Sequence, residues 1–415
     1  MSTLAVNGGE PVRTEGPTAM WPVCGDREKE LLCDIIDTGK FLYGGGEHGV
    51  AFERELAEWM GCSYALGTVN GTETMVLALK AAGIGPGDEV IMPAMTFIAC
   101  PLSVLLAQAV PVLADIAYAD MALDPAAVEA KITENTRAIM AVSLYGVPCD
   151  LDAMVDICER HSLLLLEDVA QAQGCEWRGK KLGTIGHIGS LSFHTAKIIT
   201  SGDGGAIVTD DKELHDFCRS YRQFGLPFEG SEHDCAVTGG NYRMSEFVAA
   251  VLRAQMERID ELIDKRNESA AILDEMLQGL DVVRPFEFHP QVTRRSYLNY
   301  AMAYDQQAAG GVHRDVFRQA LAAEGCPAAI GYPYVLNELP LLAGPLRERD
   351  KGRFFGRRID YAAESYPVAR DLVDNVMMNY SQHWLLSDPE TVRDIGRAVQ
   401  KVVDGIDTLR DREPA

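Results

Sequence analysis

From about Phe52 to Asp210 the chain alternates between short apolar runs and segments of helix length, and this pattern limits the fold more than any other feature. Phe52, Leu56, Trp59 and Met60 fall at i, i+4, i+7 and i+8, one apolar face of a helix. The runs Glu89-Val-Ile-Met, Val110-Pro-Val-Leu-Ala, Arg137-Ala-Ile-Met-Ala-Val and Leu163-Leu-Leu-Leu-Glu have the length of strands. Continuous apolar strands are buried on both faces, and strands joined by helices run parallel. The pattern therefore predicts an α/β fold with a mostly parallel sheet between helical layers. Asp124-Pro125 reads as an N-cap followed by proline at the first helical position, opening a helix that carries Val128 and Ile132.

After Ala206-Ile-Val-Thr, long helices take over, in Lys212 to Tyr221 and from Met244 to about Leu277. The stretch beyond, with Tyr297-Leu-Asn-Tyr-Ala-Met and a helical Val316 to Ala323, reads as a smaller α/β unit. At 415 residues the chain is nearly three times an ordinary domain of about 150. The expected division is an N-terminal arm (1–25), a large domain (26–270) and a small C-terminal domain (271–415).

Composition excludes several function classes. Lys and Arg number 38 against 61 Asp and Glu, a net charge of −23 that repels phosphate backbones and anionic lipid surfaces. Nucleic acid is not an expected partner, nor is a membrane, because no apolar run approaches the ~18 residues of a span. The ten cysteines include no Cys-x-x-Cys pair, so no metal site is expected and they read as reduced thiols. The expected location is the cytoplasm.

Three strand-end segments carry groups suited to chemistry. Ser190-Leu-Ser-Phe-His-Thr-Ala-Lys197 precedes the turn Thr200-Ser-Gly-Asp-Gly-Gly. A lysine held there projects towards a cleft, where poor solvation would free its amine as a nucleophile. Taken alone, a loop lysine is more often a surface residue. Asp168 ends the four-leucine strand, and the carboxyl edge of an open α/β sheet is where ligands bind. An isolated Asp there is as often a helix cap. Val69-Asn-Gly71-Thr72-Glu73-Thr74 opens a helix whose first amides and dipole suit a phosphate, although Gly and Thr also start helices for capping reasons alone.

The set and order of these elements resembles the fold-type I pyridoxal-phosphate enzymes. The match is to the aminotransferases of nucleotide sugars, cyclitols and antibiotic precursors known as the DegT/DnrJ/EryC/StrS family. The resemblance runs from Trp21-Pro-Val and Phe52-Glu through Gly85-Pro-Gly-Asp-Glu-Val-Ile-Met-Pro-Ala, Glu167-Asp168-Val-Ala-Gln171, Ser192-Phe-His-x-x-Lys197 and Gly204-Gly-Ala to Gly240-Asn-Tyr-Arg-Met-Ser-Glu246. It implies a large domain with a mostly parallel seven-stranded sheet between helices, a smaller C-terminal α/β domain, and pyridoxal 5'-phosphate as cofactor. Lys197 would form the aldimine and shuttle the proton, and Asp168 would keep the pyridine nitrogen protonated. Phe97 would stack on the ring, and Gln171 would stand beside its 3′-oxygen. Gly71, Thr72 and Glu73 form the phosphate turn, where Thr72 and Glu73 would offer amides and Ser192 its hydroxyl. Asn241 would reach the phosphate from a neighbouring subunit, making the unit a homodimer with shared sites, and Arg243 would face the same cleft.

Ile198, Ser143 and Gln173 depart from the family's common residues, and Gly331-Tyr332-Pro-Tyr334 lies where the family varies with its acceptor. Tyr332 and Tyr334 are accordingly candidate substrate contacts, and Gly44-Gly-Gly46 is an open loop that could line an entrance or serve as a linker. The implied reaction moves an amino group from L-glutamate or L-glutamine to a cyclic ketone through a pyridoxamine phosphate intermediate. A related dehydratase characteristically has histidine at the position of Lys197. A synthase of an aromatic amine keeps the lysine, and a silent regulatory homologue would have lost it.

Overall fold

The strand-length runs assemble into one sheet in the computed structural model, which describes residues 3–227, 234–235, 237–344 and 359–414. Its strands are β1 (Tyr64–Thr68), β2 (Glu89–Pro93), β3 (Val110–Ala114), β4 (Thr136–Val142), β5 (Leu164–Asp168), β6 (Ile188–Ser192) and β7 (Gly205–Thr209). Their order is β1-β7-β6-β5-β4-β2-β3, and every neighbouring pair is parallel except the two that involve β7. β2, β3, β6 and β7 are buried at all five positions, as strands covered by helices on both faces must be. The carboxyl ends of β1, β2, β4, β5 and β6 therefore share one edge, and the start of β7 joins them there.

Local structure departs from the sequence pattern in two places. Asp124 does cap a helix by accepting the Ala126 amide at 3.0 Å, but that helix is only Pro125–Glu129 and excludes Ile132. Beyond it the Thr133 hydroxyl is tied to Glu89, and its amide to the Thr136 hydroxyl, which turns the chain into β4. The helical stretch up to Leu277 is two helices, Glu246–Met256 and Ile259–Leu277. They are separated at Arg258, whose guanidinium bonds Glu28 and the Val23 carbonyl in the N-terminal arm region.

Among the described residues two large apolar cores result, beside a small cluster of Leu31, Ile35, Ala250 and Ala254. The first surrounds the large sheet. The second gathers Leu273, Leu277, Tyr300, Phe317, Tyr380, Ile395 and Val399 around a three-stranded antiparallel sheet (Val283–Pro285, Asn299–Tyr304, Met377–Ser381) and takes in Leu4 from the arm. The helix Ile259–Leu277 joins them, with Ile259 and Ile263 in the first core and Ala270, Leu273 and Leu277 in the second. Position 270 thus falls inside a continuous helix. Val335, Leu336, Tyr361, Tyr366 and Leu372 pack on the first core, so the segment around Tyr332 rests on the large sheet although it comes late in the chain. The Leu336 amide donates to the Ala94 carbonyl at 2.8 Å, and the Tyr361 hydroxyl to that of Pro111. Among the described residues no helix is long and apolar enough to cross a membrane.

Candidate active site

The loops at the carboxyl edge of the sheet converge on a cavity of about 330 Å³. At one end lies the turn after β1. Asn70 is extended and caps the helix Gly71–Ala81 by accepting the Glu73 amide at 2.9 Å. That bond occupies the Glu73 amide, which the resemblance had assigned to a phosphate. The amides of Gly71 and Thr72 keep no acceptor among the described residues, and the positive end of the helix dipole adds to them. Gly71 is required by close approach: a Cβ there would stand 2.6 Å from the Ser192 Cβ. A Cβ on Gly205 would likewise stand 2.5 Å from the Asn70 backbone, so two glycines bring the ends of β1, β6 and β7 together. The Ser192 hydroxyl, at the end of β6, accepts weakly from the His194 amide at 3.4 Å and keeps its own proton free to donate.

The middle of the cavity is set by strand alternation at the end of β5. Glu167 and Asp168 point to opposite faces, as consecutive strand residues do. Glu167 accepts three amides, from Gly183, Ile185 and Gly186, at 2.7–2.8 Å, and so holds that loop. Asp168 lines the cavity and, among the described residues, accepts only the Ala170 amide at 3.0 Å and the Cys100 thiol at 3.4 Å. Burial pushes the Asp168 carboxyl up, against the Ala170 amide, the Lys197 charge and the Cys100 thiol, which pull it down. A buried carboxylate so thinly supplied with donors suits a ring N–H delivered by a ligand.

Lys197 lies opposite, after β6. Ile198 and Ile199 anchor its loop in the core, and the Lys197 amide donates to the His194 carbonyl at 2.9 Å. Burial pushes the Lys197 amine down, while Asp168 and Cys100 hold it up. An amine whose charge is disfavoured, facing a buried carboxylate across a cavity with free amides at one end, matches the donor set that pyridoxal phosphate needs: a carbonyl-seeking amine, an acid for the ring nitrogen, and amides for the phosphate.

The outer wall is aromatic. Phe97 presents an exposed ring whose centroid lies 5.8 Å from that of Tyr332, and Tyr332 stacks on Tyr145 at 5.9 Å. Gln171 is fixed at both ends, accepting the Tyr145 amide and donating to the Tyr332 hydroxyl, each at 3.0 Å. Tyr145 completes the ring by accepting the Tyr332 amide at 3.1 Å.

Of the residues expected from the sequence, Gly71, Thr72, Phe97, Asp168, Gln171, Ser192, Lys197 and Tyr332 line this cavity. Tyr334 stands 5.9 Å from Tyr332 between ring centroids and Glu73 has its amide taken by the Asn70 cap; neither lines the cavity. Asn241 is exposed and paired through its backbone with Gln223, outside the lining. Arg243 has its guanidinium 4.9 Å from the Phe224 ring centroid, also outside. The Gly44–Gly46 loop does not line the cavity; Gly46 packs against the Glu246 carboxyl, which accepts the His48 amide. The sequence reading missed Asn70, Thr96, Cys100, Tyr145 and Asp203. Asn70 was legible as a cap before Gly71. Cys100 carried a weak signal, being one helical turn beyond Thr96 beside Phe97.

A model of the DegT/DnrJ/EryC1/StrS aminotransferase family matches residues 23–353. The chain is 36% identical to the L-glutamine:2-deoxy-scyllo-inosose aminotransferase of Micromonospora echinospora, over 97% of this chain and 98% of that one. It is 34% identical to the L-glutamine:scyllo-inosose aminotransferase of Streptomyces griseus, over 98% of both. The crystal structure of 3-amino-5-hydroxybenzoic acid (AHBA) synthase is similar with a TM-score of 0.82 at 30% identity, covering 94% of this chain and 100% of that one.

Proposed function

We propose, since the chain belongs to the DegT/DnrJ/EryC1/StrS aminotransferase family, that it passes the amino group of L-glutamine or L-glutamate to the ketone of a cyclic polyol. The acceptor is a keto-cyclitol of the inosose kind and the cofactor is pyridoxal 5'-phosphate. The observation that carries this reading is the convergence of Lys197, Asp168 and the Gly71–Thr72 amides on one cavity. When bound, the cofactor supplies a ring that takes up the electron pair released at the substrate carbon.

The chain's own groups do the rest. Gly71 and Thr72 donate amides, and Ser192 its hydroxyl, to the phosphate. Asp168 holds the proton on the ring nitrogen in a site where water does not compete. Lys197 anchors the cofactor, and its amine, whose charged form burial disfavours, takes and returns the proton at the reacting carbon. Phe97 would pack against the cofactor ring, and Tyr332, oriented by Gln171, would offer its hydroxyl to the acceptor. The unit is a homodimer in which Asn241, exposed and away from its own chain's cavity, serves the partner's phosphate.

Amination coupled to loss of water is the second reading, supported by the likeness to AHBA synthase. One experiment addresses both. The purified protein is converted to its amine form with L-glutamine or L-glutamate, then challenged with inososes, keto-sugars and non-aromatic keto acids, and the products are weighed by mass spectrometry. Transfer to an inosose with water retained is expected. Transfer only to nucleotide-linked keto-sugars would sink the cyclitol assignment, and a product lighter by one water would establish the second reading.

A further inference from the structure

The backbone of the lysine loop is gripped from two separate parts of the molecule, one of them braced by a third. The Trp21 indole N–H, from the arm, donates to the Thr195 carbonyl at 2.6 Å. Gln382, in the short helix Gln382–Leu385 that follows the small sheet, donates through Nε2 to the carbonyls of Ala196 and Lys197 at 3.0 and 3.3 Å. Behind Gln382 stands Arg266, fully buried on the helix that joins the two cores. Its Nη2 donates to Gln382 Oε1 at 2.6 Å, its Nη1 to the Leu262 carbonyl at 2.9 Å, and its guanidinium lies 5.2 Å from the Trp21 ring centroid.

Among the described residues no carboxylate pairs with Arg266, and its Nε has no partner. A buried cation without a counter-charge is costly. Its outward bond instead fixes which way the Gln382 amide points, because Oε1 turned to Arg266 leaves Nε2, the only donor, facing the loop. Three consecutive carbonyls, 195 to 197, are thus held by groups from outside the large sheet, and the amine they carry is the one that burial disfavours as a cation.

We propose that Arg266, Gln382 and Trp21 form a clamp of positioning residues that sets the depth of Lys197 in the cavity, so that the small domain and the arm fix the geometry of the amine. The clamp acts through the backbone and touches neither substrate nor cofactor. It rests on the reading of Lys197 as the cofactor's anchor only for its effect on turnover; the placement of the amine is measurable without cofactor.

The test uses the full chain freed of cofactor. Competitive acetylation read by mass spectrometry gives the rate and pH dependence with which Lys197 is labelled, other lysines serving as internal standards. Gln382→Glu keeps an acceptor for Arg266 but replaces the loop's donor by an oxygen facing two carbonyls. Trp21→Phe removes a single N–H at a partly exposed position. In Gln382→Glu the labelling midpoint of Lys197 is expected to rise towards that of an ordinary lysine, as water enters and relieves the burial that outweighs the opposing pull of Asp168 and Cys100. In the loaded enzyme kcat is expected to fall about 10- to 100-fold with the donor KM within about twofold, the scale of a misplacement near 1 Å. Trp21→Phe should shift labelling in the same direction by less, which keeps the test open should Gln382→Glu fail to fold. Unchanged labelling of Lys197 in the variants that fold would overturn the clamp, as would a loss of turnover matched by the loss of folded protein. A cofactor that maps to another lysine after borohydride reduction would overturn the functional reading and leave the labelling result standing.

Discussion

Asp168 and Tyr332 face the same cavity from its floor and from its wall, and the chain puts them there by different means. Asp168, Ser192 and the Asn70–Gly71 turn sit at the ends of neighbouring strands, where ladder register fixes them: Gly205 of β7 pairs with Thr68 on one side and Ser192 on the other. Tyr332 arrives on a segment that packs on the sheet late in the chain, and it is held by Tyr145, 187 residues away, and by Gln171. The floor is therefore a property of the sheet, and the wall a property of long-range packing that can vary without disturbing the floor. Under the proposed function, chemistry belongs to the first and choice of acceptor to the second.

The strongest way to break this division is at Lys197. Lys197→Ala should leave the fold unchanged, since Ile198 and Ile199 carry the loop's anchoring, yet lower turnover about 10⁴-fold, the upper range for a lost acid–base group. Both half-reactions should fall together. A variant that retained the donor half-reaction would take the acid–base role away from Lys197.

Next in size is the pair at the end of β5. Asp168→Asn should keep the structure, because the amide can still accept from Ala170, and slow both half-reactions about 10²-fold through loss of charge against the ring nitrogen. Glu167→Gln should do the opposite. It weakens three buried charge-assisted bonds and should cost about 1–3 kcal/mol of stability, seen as a lower Tm, while the folded fraction turns over normally. If the two phenotypes were exchanged, the face assignment of the strand would be wrong.

Much of this was open to reading from residues alone, and the reasons differ by element. β2 to β5 announced themselves because buried parallel strands are continuous apolar runs, and Lys197 and Asp168 were found because each closes or follows such a run. The Pro125 helix was overextended because tertiary bonds of Thr133 end it, and no local propensity records them. The Asn70 cap, three residues before Glu73, is legible in the sequence and claims the amide that the resemblance implies for the phosphate. The triangle of Gln171, Tyr145 and Tyr332 was not legible as a unit, since it closes only when the segment after Gly331 folds back on the large sheet.

A smaller effect is expected from the surface between chains. If Asn241 completes the partner's phosphate site, Asn241→Ala should weaken cofactor retention and activity by about tenfold, the order of one charge-assisted hydrogen bond. Mixing Asn241→Ala chains with Lys197→Ala chains should then restore activity, because the heterodimer has one site with both lesions and one with neither. Heterodimers that form and remain as inactive as the parents would place Asn241 in its own chain's service, and the wall would then be built from one chain alone.

The smallest effect should come from Tyr332, and it sharpens the comparison most. Burial pushes its hydroxyl up, so it stays protonated at working pH, able to donate into the cavity while it accepts from Gln171. Tyr332→Phe removes that donor and leaves the Gln171 amide short of an acceptor beside the cavity, a loss of about 1 kcal/mol when water can replace part of it. Because the ring remains, its packing on Phe97 and Tyr145 persists. The expected outcome is a drop of roughly fivefold in kcat/KM for the ketone with the donor half-reaction within about twofold, measured by single-turnover absorbance changes for each half separately. Tyr334→Phe, one ring further out, should change neither half by more than about twofold. An equal loss in both halves for Tyr332→Phe would mean that the hydroxyl acts through Gln171 on the cofactor's side. The wall and the floor would then be mechanically one, and the acceptor would have to be read by Phe97 or by residues of the partner.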